Sequence, residues 1–344
     1  MFNNETLWRY AVIVTLLGIS SYYGMVVSNA FSSKEKDEYE MVKQYLLNDS
    51  PLYGYNRPKI WIHTTYEMNA RKWKDFYSRN TRDLNQPYLH FTIKSIIQAC
   101  GDDFHICLID DDSFSKLIPT WDVDLQNMPD PVKSQYRQYG LAQLLYYYGG
   151  MIVPNSFLCL RSLKPLWDDN ATKPFVCEKI NRTVNQHLNN PRPTLIPDTY
   201  FMGARKNDPI LLQYVEYLRD RASQGVFTSE YQFSGDTSIG AFMNVKKGQM
   251  ALIGGELIGL RTDAGKPMLL EELIEDNYLP MSKSLYGIYI PADEFLRRPK
   301  YQWFSVMETE QLLESNLFIS RYMKKVIVDS STGSSGEIKS TISI

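Results

Sequence analysis

Histidine and cysteine are both scarce in this chain, with four of each in 344 residues. The cysteines (Cys100, Cys107, Cys159 and Cys177) form no C-x-x-C pair, and the histidines are scattered, so zinc-ligand spacing is missing. Three of the cysteines sit in the apolar, strand-like runs HICLI, SFLCL and PFVCE, which points to buried core thiols; a disulfide would require a domain facing an oxidising lumen. A charge excess is also missing. The 37 Lys and Arg stand against 39 Asp and Glu, a net charge of −2, which excludes a general nucleic-acid binder. No Ser-His-Asp order, nucleophile elbow or G-x-G-x-x-G fingerprint occurs. The glycine-rich IGGELIGLRTDAGK (253–266) lacks the G-K-[ST] of a P-loop and reads as a loop and hairpin. No internal repeat is visible.

Apolar and aromatic residues, by contrast, are plentiful at 44% and 13%, enough for a sizeable core. The run from Tyr10 to Ser33 contains no charged residue and is long enough to cross a hydrocarbon core as a helix. Trp8 and Tyr10 mark one edge as aromatic anchors. The rival reading is a cleaved signal peptide with Ser28-Asn29-Ala30 as its cleavage site, but the run exceeds the usual h-region of about 7–15 residues. An uncleaved anchor over residues 1–33 is the expectation, which makes a lipid bilayer a partner. Arg9 on one side against Lys34, Lys36 and Lys43 on the other weighs toward a cytoplasmic main domain. N-x-S/T sequons at Asn48, Asn170 and Asn181 weigh toward a lumenal one, although Pro51 weakens the first. A single-pass type II protein of an ER- or Golgi-like internal membrane is expected, with orientation left open.

Residues 34–57 are charged and then turn-rich, and read as a stem. Residues 330–344 are Ser/Thr/Gly-rich and read as a disordered tail. The domain proper is 58–329. Strands are expected at 59–63, 105–109, 151–153, 156–160, 175–178 and 199–204, and helices at 67–77, 88–99, after Asp112-Ser113, and at 210–221. The strongest helix signal starts at Asp130 as N-cap with Pro131 in the first turn. Its apolar stripe runs through Val132, Tyr136, Gly140, Leu141, Leu144, Leu145 and Tyr148, and Gly149-Gly150 stops it. Alternating strands and helices predict an α/β fold with a mainly parallel central sheet. Ligands then bind beyond the carboxyl ends of the strands, here His63-Thr64-Thr65, Asp110-Asp111-Asp112 and Pro154-Asn155-Ser156.

The segment LAQLLYYYGGMIVPNSFLCLRSLKPLW resembles the central motif of a group of glycosyltransferases with the Rossmann-like GT-A fold. That group includes capsular polysaccharide synthesis proteins and yeast-type initiating mannosyltransferases. Its pattern is S-D-x-x-R-x-x-x-L-x-x-Y-G-G-[IV]-[YW]-[LIV]-D-x-[DT]. KIWIHTTYE is similar to the group's first strand, K-I-I-H-x-x-W. FVCEKIN with TYFMGARKNDPIL is similar to its N-x-x-[FI]-x-[AG]-x-x-x-x-P stretch. The resemblance covers about 58–225. It implies a GT-A nucleotide-diphospho-sugar transferase fold, with a nucleotide sugar and a glycan or protein acceptor as partners.

The departures from this pattern bear on the chemistry. The D-x-D or D-x-T falls on Pro154-Asn155-Ser156, the upstream Asp on Gln138 and the Arg on Leu141. Arg137 lies one helical turn from Leu141 and could substitute, although its direction would differ. Enzymes of this fold offset the diphosphate's charge with Mn²⁺ or Mg²⁺, hard cations that want carboxylate oxygens. Proline offers none, and Asn155 and Ser156 are neutral. No metal cofactor is therefore expected.

The candidate catalytic groups are Asp110 and Asp111 of the IDDDS cluster, and Asp236, which opens a helix in GDTSIG. Each has a capping role as its alternative. His63, Thr64, Thr65, Arg137, Gln138, Asn155 and Ser156 are the candidate substrate-binding residues. Two functions follow: a membrane-anchored transferase working without a D-x-D metal, or an inactive glycosyltransferase-fold protein kept as a structural or partner-binding module.

Overall fold

The computed structural model describes residues 57–64, 86–119, 121–170, 172–180, 195–225, 240–241 and 244–333. The candidate anchor (10–33), the stem, the helix expected at 67–77, Thr65 and Asp236 lie outside them. Among the described residues no helix is long and apolar enough to cross a membrane.

The chain is mixed α/β. Strand β1 (Lys59–His63) leads to helix α1 (Tyr88–Cys100), β2 (His105–Ile109), α2 (Asp111–Leu117) and α3 (Val132–Tyr148). Then come β3 (Gly150–Ile152), β4 (Phe157–Cys159), α4 (Lys164–Asp169), β5 (Phe175–Ile180), β6 (Leu195–Ala204) and α5 (Pro209–Gln224). The C-terminal part adds β7 (Ala251–Ile253), α6 (Leu270–Leu273), β8 (Gly287–Tyr289), α7 (Ala292–Arg297), α8 (Gln302–Ser305), α9 (Thr309–Glu314) and α10 (Phe318–Gly333). Among the described residues the main sheet has the order β2-β1-β3-β6-β5-β7, and β4 pairs antiparallel with β8 in a second sheet. The β1–β2, β1–β3 and β5–β7 pairs are parallel. Only β6 runs against its neighbours β3 and β5, so the sheet is mainly parallel.

A strand in the middle of such a sheet has no solvated face, and β1 shows it: Ile60, Trp61 and Ile62 are all fully buried. The Trp61 indole N–H donates to the Gly149 carbonyl at 2.9 Å, which satisfies its one polar atom. That bond ties β1 to the turn between α3 and β3. The turn needs its two glycines. Gly149 has φ 71° and Gly150 φ 107°, both in the left-handed region, and a Cβ on Gly150 would sit 2.2 Å from the Lys59 carbonyl oxygen. The close approach lets β3 enter the sheet beside β1 directly after the helix.

Helix α3 differs from expectation at its start and along its buried face. Its N-cap is Pro131, which has no side chain to cap with, while Asp130 accepts from the Ser134 hydroxyl at 2.9 Å. The buried face runs through Gln135, Gln138, Leu141, Ala142, Leu144 and Leu145, whereas Val132, Tyr136 and Tyr148 are only half-buried. The expected stripe is thus met at Gly140, Leu141, Leu144 and Leu145, while its ends are half-buried and two glutamines enter the core. Leu141, Leu144 and Leu145 pack with Trp61, Ile152, Met202, Leu211 and Tyr214 in one cluster. Each such leucine contributes about 1.5–3 kcal/mol by burial.

Other boundaries also shift. Helix α2 is capped by Asp110, not by Asp112-Ser113. Strand β5 extends to Ile180 and β6 begins at Leu195. Helix α10 continues to Gly333, into the stretch read as a tail. The 253–266 segment forms a 3₁₀ turn (Gly255–Leu257) and a bridge between Arg261 and Pro267, in keeping with a hairpin. All four cysteines are free and buried, as the apolar runs imply.

Candidate functional site

A cavity of about 260 Å³ opens at the carboxyl ends of β1 and β3. The turn after β3 forms its floor, with Pro154, Asn155 and Ser156. His63 from the end of β1 and Leu141 from α3 line one side; Lys179, Asp198 and Tyr200 from β5 and β6 line another. The C-terminal part closes it with apolar residues such as Leu260 and Met268, and with Asp293 and Glu294 at the start of α7.

Sheet direction explains this gathering. Because β6 is antiparallel, its beginning lies at the same edge as the carboxyl ends of β1, β3 and β5. A register break after Val176 takes Thr199, Tyr200 and Phe201 out of the ladder and sets Cys177 opposite Asp198. Such bulges re-aim side chains. Here Asp198 is buried and 3.9 Å from the Lys179 ammonium, and it accepts from the Tyr200 backbone N–H at 3.0 Å. Nearby, the Glu178 carboxylate takes both arms of the Arg261 guanidinium at 2.9 Å and the Gly255 N–H at 2.8 Å. This ties β5 to the segment that closes the cavity.

Asp111 is the hub of the other wall. Its Oδ1 accepts from Arg137 Nε at 2.8 Å and its Oδ2 from Arg137 Nη2 at 2.7 Å. His63 Nε2 lies 3.0 Å from the same Oδ1, and the His63 ring stacks on Phe114 with centroids 5.6 Å apart. Burial alone would raise the carboxyl's pKa. The hydrogen bonds from His63 and Arg137 outweigh it and hold Asp111 well below the usual carboxylate range.

The sequence candidates separate accordingly. His63, Asn155 and Ser156 line the cavity. Asp111 and Arg137 stand behind His63. Asp110 is committed to the helix: its Oδ1 accepts from the Ser113 backbone N–H at 2.9 Å and from the Ser113 hydroxyl at 2.6 Å. Thr64 is fully buried, its N–H donating to the Ile109 carbonyl at 2.9 Å. Gln138 is buried in the core and donates to the Thr199 hydroxyl. Arg137 points its Nε and Nη2 at Asp111. Thr65 and Asp236 lie outside the described residues.

Sequence reasoning missed Lys179, Asp198, Tyr200, Asp293 and Glu294. Lys179 was within reach of the strand-end rule, had β5 been read past Glu178. Asp198 and Tyr200 required knowing that β6 is reversed.

The donor set tests whether a D-x-D metal fits. Pro154 carries no side-chain oxygen, Asn155 and Ser156 supply neutral oxygens only, and Ser156 is buried. Among the described residues no three His, Cys, Asp or Glu converge as a ligand set. The three positions of the motif therefore offer a hard divalent cation no carboxylate oxygen.

Neither a protein-family profile nor a curated protein sequence matches the chain. Among solved structures it is similar to the galactosyltransferase LgtC, crystallised in complex with donor and acceptor sugar analogs, with a TM-score of 0.34 and 10% identity over 78% of this chain and 95% of that one. Likeness at that level does not carry an activity across.

Proposed function

We propose that this chain is a glycosyltransferase-like protein of the GT-A type that binds a nucleotide sugar at the strand ends without a D-x-D metal. The observation that carries the reading is the cavity itself. Its floor is the Pro154-Asn155-Ser156 turn after the Gly149-Gly150 unit, the place where the motif resemblance puts the donor site. A polar floor, tyrosines and charged groups at the carboxyl edge of a mainly parallel sheet suit a hydroxyl-rich ligand. If transfer occurs, the acceptor is a glycan or protein hydroxyl, and protein donors and the Lys179 cation take the place of a metal in stabilising the leaving diphosphate. We place the chain in a membrane through Tyr10–Ser33, as a type II single-pass protein.

One observation favours a second reading. Two motif positions that carry charge in the resembling group are here packed into the core, Gln138 against Thr199 and Leu141 among apolar neighbours. An inactive descendant kept as a partner-binding membrane module would have this pattern.

Thermal-shift screening against nucleotide sugars, with and without Mn²⁺, tests the first reading. A stabilisation of equal size in EDTA is expected; no stabilisation by any nucleotide sugar overturns it. Transfer or hydrolysis of a bound donor then separates the two readings. Resistance to alkaline carbonate extraction from membranes tests the anchor.

A further inference from the structure

His63 has one ring nitrogen occupied and one available. Nε2 is 3.0 Å from Asp111 Oδ1, and Nδ1 has no hydrogen-bond partner among the described residues. The imidazole lines the cavity and is held flat against Phe114. Its partner Asp111 is locked in turn by the two-armed Arg137 contact, a geometry that only a carboxylate can satisfy on both oxygens. An ionised carboxylate offers no proton, so the hydrogen of this contact is on the imidazole, and His63 Nε2–H donates to Asp111. The tautomer is fixed by the neighbour, as in other carboxylate–histidine pairs. In the neutral ring Nδ1 is then left with a lone pair and no hydrogen.

We infer that His63 Nδ1 accepts a hydrogen bond from a hydroxyl of a sugar ring bound in the cavity, with Asp111 and Arg137 as its positioning residues. A lone pair repels a phosphate oxygen and cannot serve a carbonyl, so the group read at this wall is a donor. Two rings of a nucleotide sugar carry such hydroxyls, the ribose and the hexose. The inference rests on the nucleotide-sugar reading above and adds to it the contact that selects the ligand. The charged groups around the imidazole and its cavity are Asp111 from α2, Arg137 from α3, Lys179 from β5, Asp198 from β6, and Asp293 and Glu294 from α7.

The test is calorimetric titration of the full chain with UDP, GDP, ADP and CDP, and with the methyl glycosides of glucose, galactose and mannose. Each binder is then compared with its monodeoxy analogues. Deleting the hydroxyl that His63 reads is expected to weaken binding to the wild type about tenfold, the worth of one neutral hydrogen bond. A loss among the deoxyribose nucleotides assigns the ribose; a loss among the deoxyglycosides assigns the hexose. His63→Phe keeps the ring and its stack on Phe114 but should bind parent and deoxy probe equally. His63→Asn, which keeps an oxygen acceptor near the Nδ1 position, should restore the difference. If the wild type shows no deoxy penalty, or if His63→Phe retains the same penalty, the inference is overturned while nucleotide-sugar binding stands. If no probe binds the wild type, the proposed function falls and the inference with it.

Discussion

Arg137 closes on Asp111 with two parallel hydrogen bonds, Nε to Oδ1 at 2.8 Å and Nη2 to Oδ2 at 2.7 Å. The residues come from different helices, so the pair fastens the start of α2 to α3 behind the His63 wall. Both side chains are mostly buried, Arg137 13% and Asp111 21% exposed. Solvent screening is accordingly modest. Asp111→Asn removes the charge and puts an amide nitrogen in front of one guanidinium donor. It should cost about 2 kcal/mol at neutral pH, within the range for charge-assisted hydrogen bonds.

The pair also makes stability depend on pH in a defined direction. The folded-state value of Asp111 is depressed below the unfolded carboxylate value of about 4. Its contribution is therefore complete above that value and is lost as the pH falls toward the folded value. Urea unfolding of wild type and Asp111→Asn should show a constant gap above pH 5 that narrows below pH 4. A gap of the same size throughout would mean that Asp111 acts by shape and not by charge.

Gln135 is fully buried on α3, and among the described residues neither its Oε1 nor its Nε2 has a hydrogen-bond partner. An unmade buried amide is more costly than an apolar group of the same shape. Gln135→Leu should raise stability by about 1 kcal/mol, read as a higher denaturation midpoint with an unchanged slope. A loss of stability would show that the amide has a partner in solution, such as a buried water.

Gln135 also shows where legibility ended. The apolar spacing of α3 gave the helix, its stop and the buried Gly140, Leu141, Leu144 and Leu145, but the stripe also took in the half-buried Val132, Tyr136 and Tyr148 and left out Gln135 and Gln138. Tyrosines read as apolar while their hydroxyls seek the surface: the Tyr148 hydroxyl reaches the Leu117 carbonyl at 2.6 Å. The strands were legible because buried parallel strands are continuous apolar runs. The cavity floor followed from the strand-end rule. The opposite wall did not, because strand direction is set by tertiary pairing, which the composition of LIPDTYFMGA leaves open. Asp111's role was hidden for a similar reason: its partners are distant in sequence, and only the fold brings them together.

The Gly149-Gly150 unit can be tested against an unconstrained glycine. Gly150 has φ 107° and its Cβ would strike the Lys59 carbonyl oxygen, while Gly225 has φ 61° with open space around its Cβ position. Gly225→Ala should cost about 1 kcal/mol, the conformational term alone. Gly150→Ala should cost about 3 kcal/mol or more, since backbone must move as well. Similar melting temperatures for the two variants would contradict the close-approach account.

Cys100 and Cys159 have their sulfurs 3.9 Å apart, so modest side-chain rotation closes them to the bond length of about 2 Å. The hydrogen bond from Cys159 lowers the Cys100 pKa, while burial pushes the Cys107 thiol up to about 12 and raises that of Cys177 as well. Diamide should therefore yield one intramolecular disulfide, between Cys100 and Cys159, with Cys107 and Cys177 left as thiols. Peptide mapping after alkylation under denaturing conditions reads this directly. The same bond in protein isolated from its native compartment would indicate an oxidising lumen.

The last prediction concerns the cavity floor. Pro154 contributes no side-chain oxygen and Ser156 is 3% exposed, so a carboxylate at the second position would be buried beside the chain that carries β8. The Ile290 N–H already donates to the Ser156 carbonyl at 3.2 Å, which holds that backbone in place. Pro154→Asp alone should be tolerated, since the position is half-buried and lines the cavity. The double variant Pro154→Asp/Ser156→Asp should be less stable than wild type by about 1–3 kcal/mol without metal, because a buried carboxylate lacks a partner. Mn²⁺ supplies that partner. The double variant should recover its melting temperature on adding Mn²⁺ with nucleoside diphosphate, while the wild type shows no Mn²⁺ response. A wild-type chain that Mn²⁺ stabilises would show that other residues hold a cation, and the metal-free reading of this site would be withdrawn.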